Sequence, residues 1–275
     1  MSAAFYPHKS YETYLLWSTR MLVSVVWAST MIFGLYIFIY YFIGALKGEI
    51  LSWNKVLPNL YDPDHRAATI GIGAHFAAGG LILILGCIQL IESVRKKHPI
   101  IHRWLGRLYV ILSLFTALGG LFFIFSKGTV GGLSMDIGFT GYGILTFSAA
   151  IATIHYARKM EFDLHRAWAI RLFALAIGSW LYRMDYGFWF LLADGIGHNS
   201  SFNGPFDHFM NFFFYIPNLI VAEIFIGRMK ITHTRTARIF GITSMILASL
   251  FLIVATYYFT TKLWWPAIIK VITEI

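Results

Sequence analysis

Long apolar runs, separated by short polar segments, dominate the pattern of this sequence. Crossing the hydrocarbon core of a bilayer takes about 20 apolar residues in an α-helix. Seven runs meet this requirement and predict spans at residues 17–44, 67–91, 104–126, 138–157, 166–192, 209–227 and 238–260. The closing segment, residues 263–275, is too short to cross and is predicted to lie at the interface, with Trp264 and Trp265 near the headgroups. The pattern predicts an all-α, polytopic transmembrane helix bundle that forms one domain over residues 1–275.

The composition supports a membrane location. The chain is 58% hydrophobic and only 13% charged, whereas soluble domains carry about 25% charged residues. The net charge of +9 would suggest nucleic-acid binding in a soluble protein. In a membrane protein the same charge belongs to cytoplasmic loops, so we expect lipid contact and no nucleic-acid partner.

The positions of the basic residues predict an orientation. If the N-terminus is inside, thirteen lysines and arginines fall in inner segments and six in outer ones. This bias predicts a cytoplasmic N-terminus and an outside C-terminus. The outer segment 45–66 contains Trp53 and is predicted to fold against the outer surface of the bundle.

Two inner loops resemble each other. In both, an Arg-Lys pair precedes a His-Arg pair by seven positions, and a tryptophan and a second arginine follow the histidine. The matched residues are Arg95, His102, Trp104 and Arg107 in the first loop and Arg158, His165, Trp168 and Arg171 in the second. A weaker echo surrounds His233. The pattern predicts repeated helical hairpins.

The second arginine of each loop lies inside a predicted span. A charge inside the bilayer costs about 2.5–3.5 kcal/mol or more, so it normally faces the bundle and has a partner. Polar residues at the same level predict an inner ring made of Gln89, Glu92, His102, Arg107, His155, His165, Arg171 and Glu223. One interpretation is an ion-pair network that fixes helix packing, with Glu92 and Glu223 as partners of the arginines. The other is a cofactor site.

The outer half of the predicted bundle has its own polar residues. His75 lies in the second span, and Arg183 and Asp185 lie in the fifth, where we expect them to form a local or interhelical ion pair. Small residues from Gly71 to Gly80 make one face of the second helix thin, which favours close helix packing, with room for a flat cofactor as the alternative. Pro217, followed by Asn218, is predicted to interrupt the sixth helix and free a carbonyl.

The sequences His102–Arg107 and His165–Arg171 resemble a bacterial family of predicted membrane proteins called domain of unknown function 2306. Gly73–His75, Gly86 with Gln89, and Pro217–Glu223 are also similar to that family, and the resemblance covers about residues 67–227. The resemblance implies a bacterial inner (cytoplasmic) membrane protein. It implies no activity and no catalytic residues.

Three functions stay open. The first is an accessory or cofactor- or lipid-binding subunit of a larger membrane complex, with other membrane subunits as partners. The alternative is an electron-transfer protein that binds haem b or a quinone, since imidazoles on neighbouring helices can ligate haem iron. The third is a transporter of an anion or of protons.

The candidate cofactor-binding residues are His102, His165, His155, Arg107, Arg171, Gln89 and His75. The sequence leaves open whether the chain is an enzyme. A zinc or iron centre made of His102, His155, His165 and Glu92 is a weaker hypothesis because no regular local histidine spacing supports it, and no metal is predicted.

Overall fold

The computed structural model describes residues 7–228 and 235–273, which are all-helical and contain no strand. The α-helices are α1 (Pro7–Ile37), α2 (Gly44–Leu46), α3 (Trp53–Val56), α4 (Arg66–Leu90), α5 (Glu92–Lys97), α6 (Pro99–Lys127), α7 (Gly132–Arg158), α8 (Phe162–Ala176), α9 (Gly178–Ala193), α10 (Pro205–Phe213), α11 (Ile216–Arg228), α12 (Arg235–Phe259) and α13 (Trp265–Thr273). Two π-helical segments, Phe38–Ile43 and Thr260–Trp264, lie within the first and last long helices. The predicted all-α fold class is confirmed.

Five helical stretches in the described part of the chain are long and apolar enough to cross a membrane. They are Thr13–Leu46, Pro63–Leu90, Pro99–Lys127, Gly132–Arg158 and Ile239–Thr273. Large apolar side chains such as Ile70 and Phe125 are 72% and 74% exposed, which suits contact with lipid rather than water. The chain is an integral membrane protein, and its direction across the membrane stays a prediction.

The predicted fifth and sixth spans are each made of two shorter helices. Between α8 and α9, the hydroxyl of Tyr142 donates to the carbonyl oxygen of Leu175 at 2.7 Å. Between α10 and α11, Pro217 has no N–H to donate, and the amide nitrogen of Asn218 donates to the carbonyl oxygen of Phe214 at 2.8 Å. Side chains thus supply hydrogen bonds at both interruptions, as membrane interiors require. The number of crossings, seven, stays a prediction.

Helix α4 packs between α1 and α6 through glycine contacts. A methyl group added at Gly80 would lie 3.0 Å from the carbonyl oxygen of Gly34 in α1. One added at Gly119 in α6 would lie 2.5 Å from the carbonyl oxygen of Gly71. The thin face predicted for this helix is therefore a surface of close backbone packing.

The closing segment is not separate from the last predicted span. Helix α12 continues through the second π-helical segment into α13, which makes one helical stretch from Ile239 to Thr273. Trp264 is only 2% exposed, and its ring centre lies 5.2 Å from that of Phe33. The expectation that Trp264 is a headgroup anchor is wrong, because this indole packs in an aromatic cluster. Trp265 is 57% exposed, and its interfacial role stays a prediction.

The segment 45–66 folds against the bundle, as the sequence predicts. Trp53 is 3% exposed, and its indole N–H donates to the carbonyl oxygen of Tyr41 at 3.2 Å. Near the end of the segment, the ammonium of Lys127 lies 2.9 Å from the carboxylate of Asp62. The hydrogen bond from Lys127 is the main reason that the pKa of Asp62 falls to about 2. This ion pair joins the segment to the end of α6.

A methyl group at Gly119 tests the glycine contact. Gly119→Ala forces the backbones of α4 and α6 apart and should lower the free energy of unfolding by about 1–3 kcal/mol. Gly79→Ala is the matched control, because its methyl group would lie 3.8 Å from the side chain of Thr116, an ordinary contact. Thermal unfolding in detergent measures both variants. Equal melting temperatures would contradict the packing described.

Candidate functional site

Two connections at the same end of the bundle carry exposed basic side chains. One connection joins α4 to α6 through α5, and the other joins α7 to α8. The exposed cations are Arg95, Lys96, Lys97, Arg103, Arg107, Arg158, Lys159 and Arg166. We call this the basic end, defined by residues 91–107 and 158–171. It contains both copies of the sequence repeat. The weaker third copy, around His233, lies outside the described residues.

Glu92 pairs with a cation on its own helix. Its carboxylate accepts a hydrogen bond from Lys96 at 2.7 Å and lies 3.9 Å from Arg95. The bond from Lys96 is the main cause that lowers the pKa of Glu92. The predicted ion pair of Glu92 with Arg107 or Arg171 is therefore wrong. The reason is local, since positions four apart on a helix are neighbours.

His165 is fixed by a backbone carbonyl of the neighbouring helix. It lies in the first turn of α8, and its Nδ1 is 2.9 Å from the carbonyl oxygen of Thr153 in α7. A carbonyl oxygen can only accept, so Nδ1 carries the proton of the neutral ring. The lone pair of the neutral imidazole is then on Nε2.

His102 is fixed by Gln89, and its Nδ1 accepts a hydrogen bond, whereas Nδ1 of His165 donates one. The amide of Gln89 lies 3.2 Å from two backbone groups of α6, the carbonyl oxygen of His102 and the N–H of Gly106. A carbonyl oxygen only accepts and an N–H only donates, so we assign the amide nitrogen to the side of the carbonyl and the amide oxygen to the side of the N–H. In this orientation its nitrogen also lies 3.2 Å from Nδ1 of His102. Because the amide nitrogen can only donate, Nδ1 of His102 accepts and the ring proton is on Nε2.

The two imidazoles lie within electrostatic reach of each other, and Arg95 acts on His102 in the same way. One ring offers an N–H donor at Nε2 and the other offers an acceptor at Nε2. Between them the two rings therefore present one donor and one acceptor. Of the predicted inner ring, Gln89 contacts His102, and His165 lies within electrostatic reach of that histidine.

Arg171 forms one of the predicted ion pairs. Its guanidinium makes two hydrogen bonds to the carboxylate of Glu223 in α11, at 2.5 Å and 2.9 Å. The same guanidinium lies 4.6 Å from the ring centre of Trp168. This bidentate pair ties α8 to α11.

Arg107 repeats only part of that arrangement. Its guanidinium lies 5.0 Å from the ring centre of Trp104, three positions earlier, as in the second copy. Arg107 is exposed, and no described carboxylate lies within ion-pair distance. The expectation that Arg107 has an acidic partner in the bundle is therefore wrong. The ring of Trp104 stacks with the guanidinium in place of a carboxylate.

His155 does not join the histidine pair. It is exposed, and the ring contact that it makes is with Tyr156, at 5.1 Å. The described residues contain no group of three or more histidine, cysteine or acidic side chains that could hold a metal. The hypothetical centre of His102, His155, His165 and Glu92 is not assembled.

Of the polar residues of the outer half, His75, Arg183 and Asp185, the last two do not form the expected ion pair. Nδ1 of His75 in α4 lies 2.7 Å from the carbonyl oxygen of Thr116 in α6. Arg183 donates to the carbonyl oxygen of Ser179 at 3.0 Å and does not pair with Asp185. Residues two apart on a helix point in different directions, which explains why the expected local pair is absent.

A polar network outside the predicted site connects the segment before α10 to α9. Asp207 is 0% exposed and accepts hydrogen bonds from the hydroxyl of Tyr186 at 2.6 Å and from Gly204 N–H at 2.9 Å. Nδ1 of His198 lies 2.7 Å from the same carboxylate. His198 was missed from the sequence because it lies in a loop with no periodic pattern. Asp207, three residues after Gly204, is a capping signal that could have indicated part of the network.

Removing the carboxylate of Glu223 should destabilise the attachment of α11. We expect Glu223→Gln to lower the free energy of unfolding by about 1 kcal/mol, because the pair is partly exposed. Arg107→Gln, which changes an exposed arginine that has no acidic partner in the described part of the chain, is the control and should change little. A double-mutant cycle with Arg171→Gln measures the coupling. A coupling of zero would show that the ion pair does not contribute to stability.

The Asp207 network should make stability depend on pH. Burial raises the pKa of Asp207, but hydrogen bonds from His198, Tyr186 and two backbone N–H groups outweigh it and hold the pKa below the ordinary value. Ionised Asp207 therefore stabilises the fold above its unfolded pKa of about 3.9, and this stabilisation is lost as pH falls through the lower native value.

Melting temperatures measured at decreasing acidic pH test this dependence. Asp207→Asn should flatten the acid loss of stability. Asp194→Asn, which changes an exposed aspartate in the preceding loop, should keep the original slope. Parallel curves for Asp207→Asn and the unmodified protein would exclude Asp207 as the titrating group.

The comparisons with known proteins agree with the resemblance noted from the sequence. The chain matches the family described as predicted membrane protein (DUF2306) over residues 72–226, more than half of its length. This match covers α4 to α11 almost completely, including Gln89 and both histidines of the pair. No curated protein and no solved structure matches the chain. The chain belongs to the DUF2306 family of predicted membrane proteins.

Proposed function

We propose that this protein is a quinone-binding membrane subunit and that the quinone headgroup binds between His102 and His165. The proposal is supported by two hydrogen bonds, from Gln89 to His102 and from His165 to Thr153, which favour protons on different nitrogens of the two neutral rings. A quinone carbonyl accepts a hydrogen bond, and the quinol hydroxyl that replaces it donates one. The pair offers a donor for the first form and an acceptor for the second.

The charges around the pair suit this ligand. Arg95 acts electrostatically on His102, and Arg166 acts on Glu92 at the same end. A positive potential favours the partial negative charge of a quinone oxygen and the full charge of a semiquinone. The headgroup would lie near the membrane surface, and its isoprenoid tail would extend along the apolar exterior.

A haem is the less favoured ligand of this pair. Iron would bind the lone pair of Nε2, and His165 presents one. His102 presents a proton there instead. Moving that proton to Nδ1 would direct it at the amide N–H of Gln89, whose orientation two backbone groups fix. Bis-histidine ligation would therefore break a satisfied network.

The proposed quinone chemistry requires a partner protein that supplies electrons. Reduction of a quinone to a quinol takes two electrons and two protons. The imidazoles can transfer protons, whereas the electrons would come from a partner protein. We propose that such a partner docks at the basic end, which carries exposed cations on both connections.

Quinone titration of the purified protein in lipid nanodiscs tests the proposal. A benzoquinone with a decyl tail should quench tryptophan fluorescence saturably, because Trp104 and Trp168 lie two and three residues after the histidines. His102→Ala and His165→Ala should each weaken binding about five- to tenfold, the usual effect of one lost hydrogen bond. Gln89→Leu should act like His102→Ala because it releases the ring.

His155→Ala is the matched control for these variants. It removes an exposed imidazole of the same end that makes no hydrogen bond in the described structure, so the affinity should not change. Unchanged affinity in both His102→Ala and His165→Ala would contradict the proposal. A Soret band in the purified protein, lost in those two variants, would show that the pair binds haem instead.

A further inference from the structure

Arg183 is partly buried in the bundle and has no acidic partner among the described residues. Its guanidinium donates to the carbonyl oxygen of Ser179 at 3.0 Å, approaches the oxygen of Tyr41, and lies 5.2 Å from the ring centre of Phe33. A guanidinium has five N–H donors, so most of them are not used. An arginine in a membrane helix normally has a counter-charge, because burying it alone is costly.

The groups that surround Arg183 are neutral. Those within its electrostatic reach are His75 of α4 and four tyrosines from three elements, namely Tyr36, Tyr41, Tyr142 and Tyr182. Asp185 is on the same helix but no described cation lies within ion-pair distance of it. The local balance is therefore one uncompensated positive charge.

The hydroxyl of Tyr41 is a second unused donor. Tyr41 is 1% exposed, and the donors of Arg183 and Tyr36 approach its oxygen, whereas its own O–H has no acceptor in hydrogen-bond geometry among the described residues. A buried hydroxyl without a partner loses its bonds to water without replacement, so native structures rarely keep one. A ligand that accepts from Tyr41 would satisfy it.

The backbone around this cluster is unusual. Tyr41 belongs to the π-helical segment Phe38–Ile43, and Trp264 of the second π-helical segment stacks on Tyr36, with ring centres 6.4 Å apart. Segments of this type are rare and occur frequently at functional sites. Two of them meet at the aromatic residues beside Arg183.

His75 offers the opposite kind of group. Its Nδ1 donates to the carbonyl oxygen of Thr116, which leaves an acceptor lone pair on Nε2 of the neutral ring. A bare anion such as chloride would be repelled by that lone pair. A ligand with both negatively charged oxygen and a hydroxyl would suit all three side chains.

We propose that Arg183, Tyr41 and His75 form a buried site for a small, monovalent oxyanion that carries one hydroxyl, of which bicarbonate is the simplest example. The charged oxygens accept from the guanidinium and from the tyrosine hydroxyl, and the ligand hydroxyl donates to Nε2 of His75. The ligand must be small, because Phe33, Tyr41 and Phe76 pack closely around the site and are at most 7% exposed. This site is separate from the histidine pair at the basic end.

Thermal unfolding in detergent tests the site, with sodium bicarbonate and sodium nitrate as probes at constant ionic strength near neutral to mildly alkaline pH. Nitrate has the same charge and planar shape but no hydroxyl. The melting temperature should rise saturably with bicarbonate and respond at least about fivefold more weakly to nitrate, as expected for one missing hydrogen bond. Equal responses to the two ions would overturn the proposed ligand class.

Variants locate the effect. Arg183→Gln should weaken the bicarbonate response at least about tenfold, as expected for a lost charged hydrogen-bond donor. Tyr41→Phe, which removes only a hydroxyl, should weaken it about fivefold and provides the test if Arg183→Gln does not fold. Arg107→Gln, an exposed arginine, is the matched control and should respond like the unmodified protein. A full bicarbonate response in Tyr41→Phe, or an equal loss in Arg107→Gln, would overturn the proposal.

Discussion

The close contact of α4 with α1 and α6 is the constraint on which the rest of the structure depends. At Gly80 and Gly119 the backbones approach so closely that a single methyl group would meet a carbonyl oxygen. Lipid provides no hydrophobic force that presses helices together, so packing of this kind is the main attraction between them. Both sites proposed above use one residue of α4, Gln89 in one and His75 in the other. Their positions follow from where the glycines place that helix.

Backbone carbonyls control the chemistry of the polar side chains. His75 and His165 both donate from Nδ1 to a carbonyl oxygen of an adjacent helix. A carbonyl so placed fixes the ring and also fixes which nitrogen carries the proton. His102 differs because a side-chain amide takes the place of the carbonyl. Because Gln89 takes the position of a backbone carbonyl, the two histidines of the basic end carry their protons on different ring nitrogens.

Sequence reasoning recovered the parts of the fold that depend on composition and spacing. Apolar run lengths located the long helices, and the depth of Arg171 predicted an acidic partner, Glu92 or Glu223, of which Glu223 is the one it has. Depth did not predict the surroundings of Arg107, since run length does not show which side of a helix faces the bundle. The stacking of an arginine on the tryptophan three positions earlier is a local contact, and both copies of the repeat show it.

Other features could not be predicted because they depend on contacts between distant elements. Neither π-helical segment leaves a periodic signal, and the burial of Trp264 results from its contacts with α1. The protonation of His102 depends on an amide thirteen positions earlier in the chain. His198 acquires its partner only when the loop folds over α9.

The interruption between α8 and α9 also bears on how the protein is assembled. The two helices contain 15 and 16 residues, so each alone is shorter than the bilayer requires. Together they carry Arg171, Arg183 and Asp185, and each charge costs about 2.5–3.5 kcal/mol at the centre of an inserting segment. The hydrogen bond from Tyr142 that completes the junction comes from α7, which is synthesised earlier. Membrane insertion of this pair therefore depends on helices that are already in place, and the order of the chain is also the order in which its helices can be stabilised.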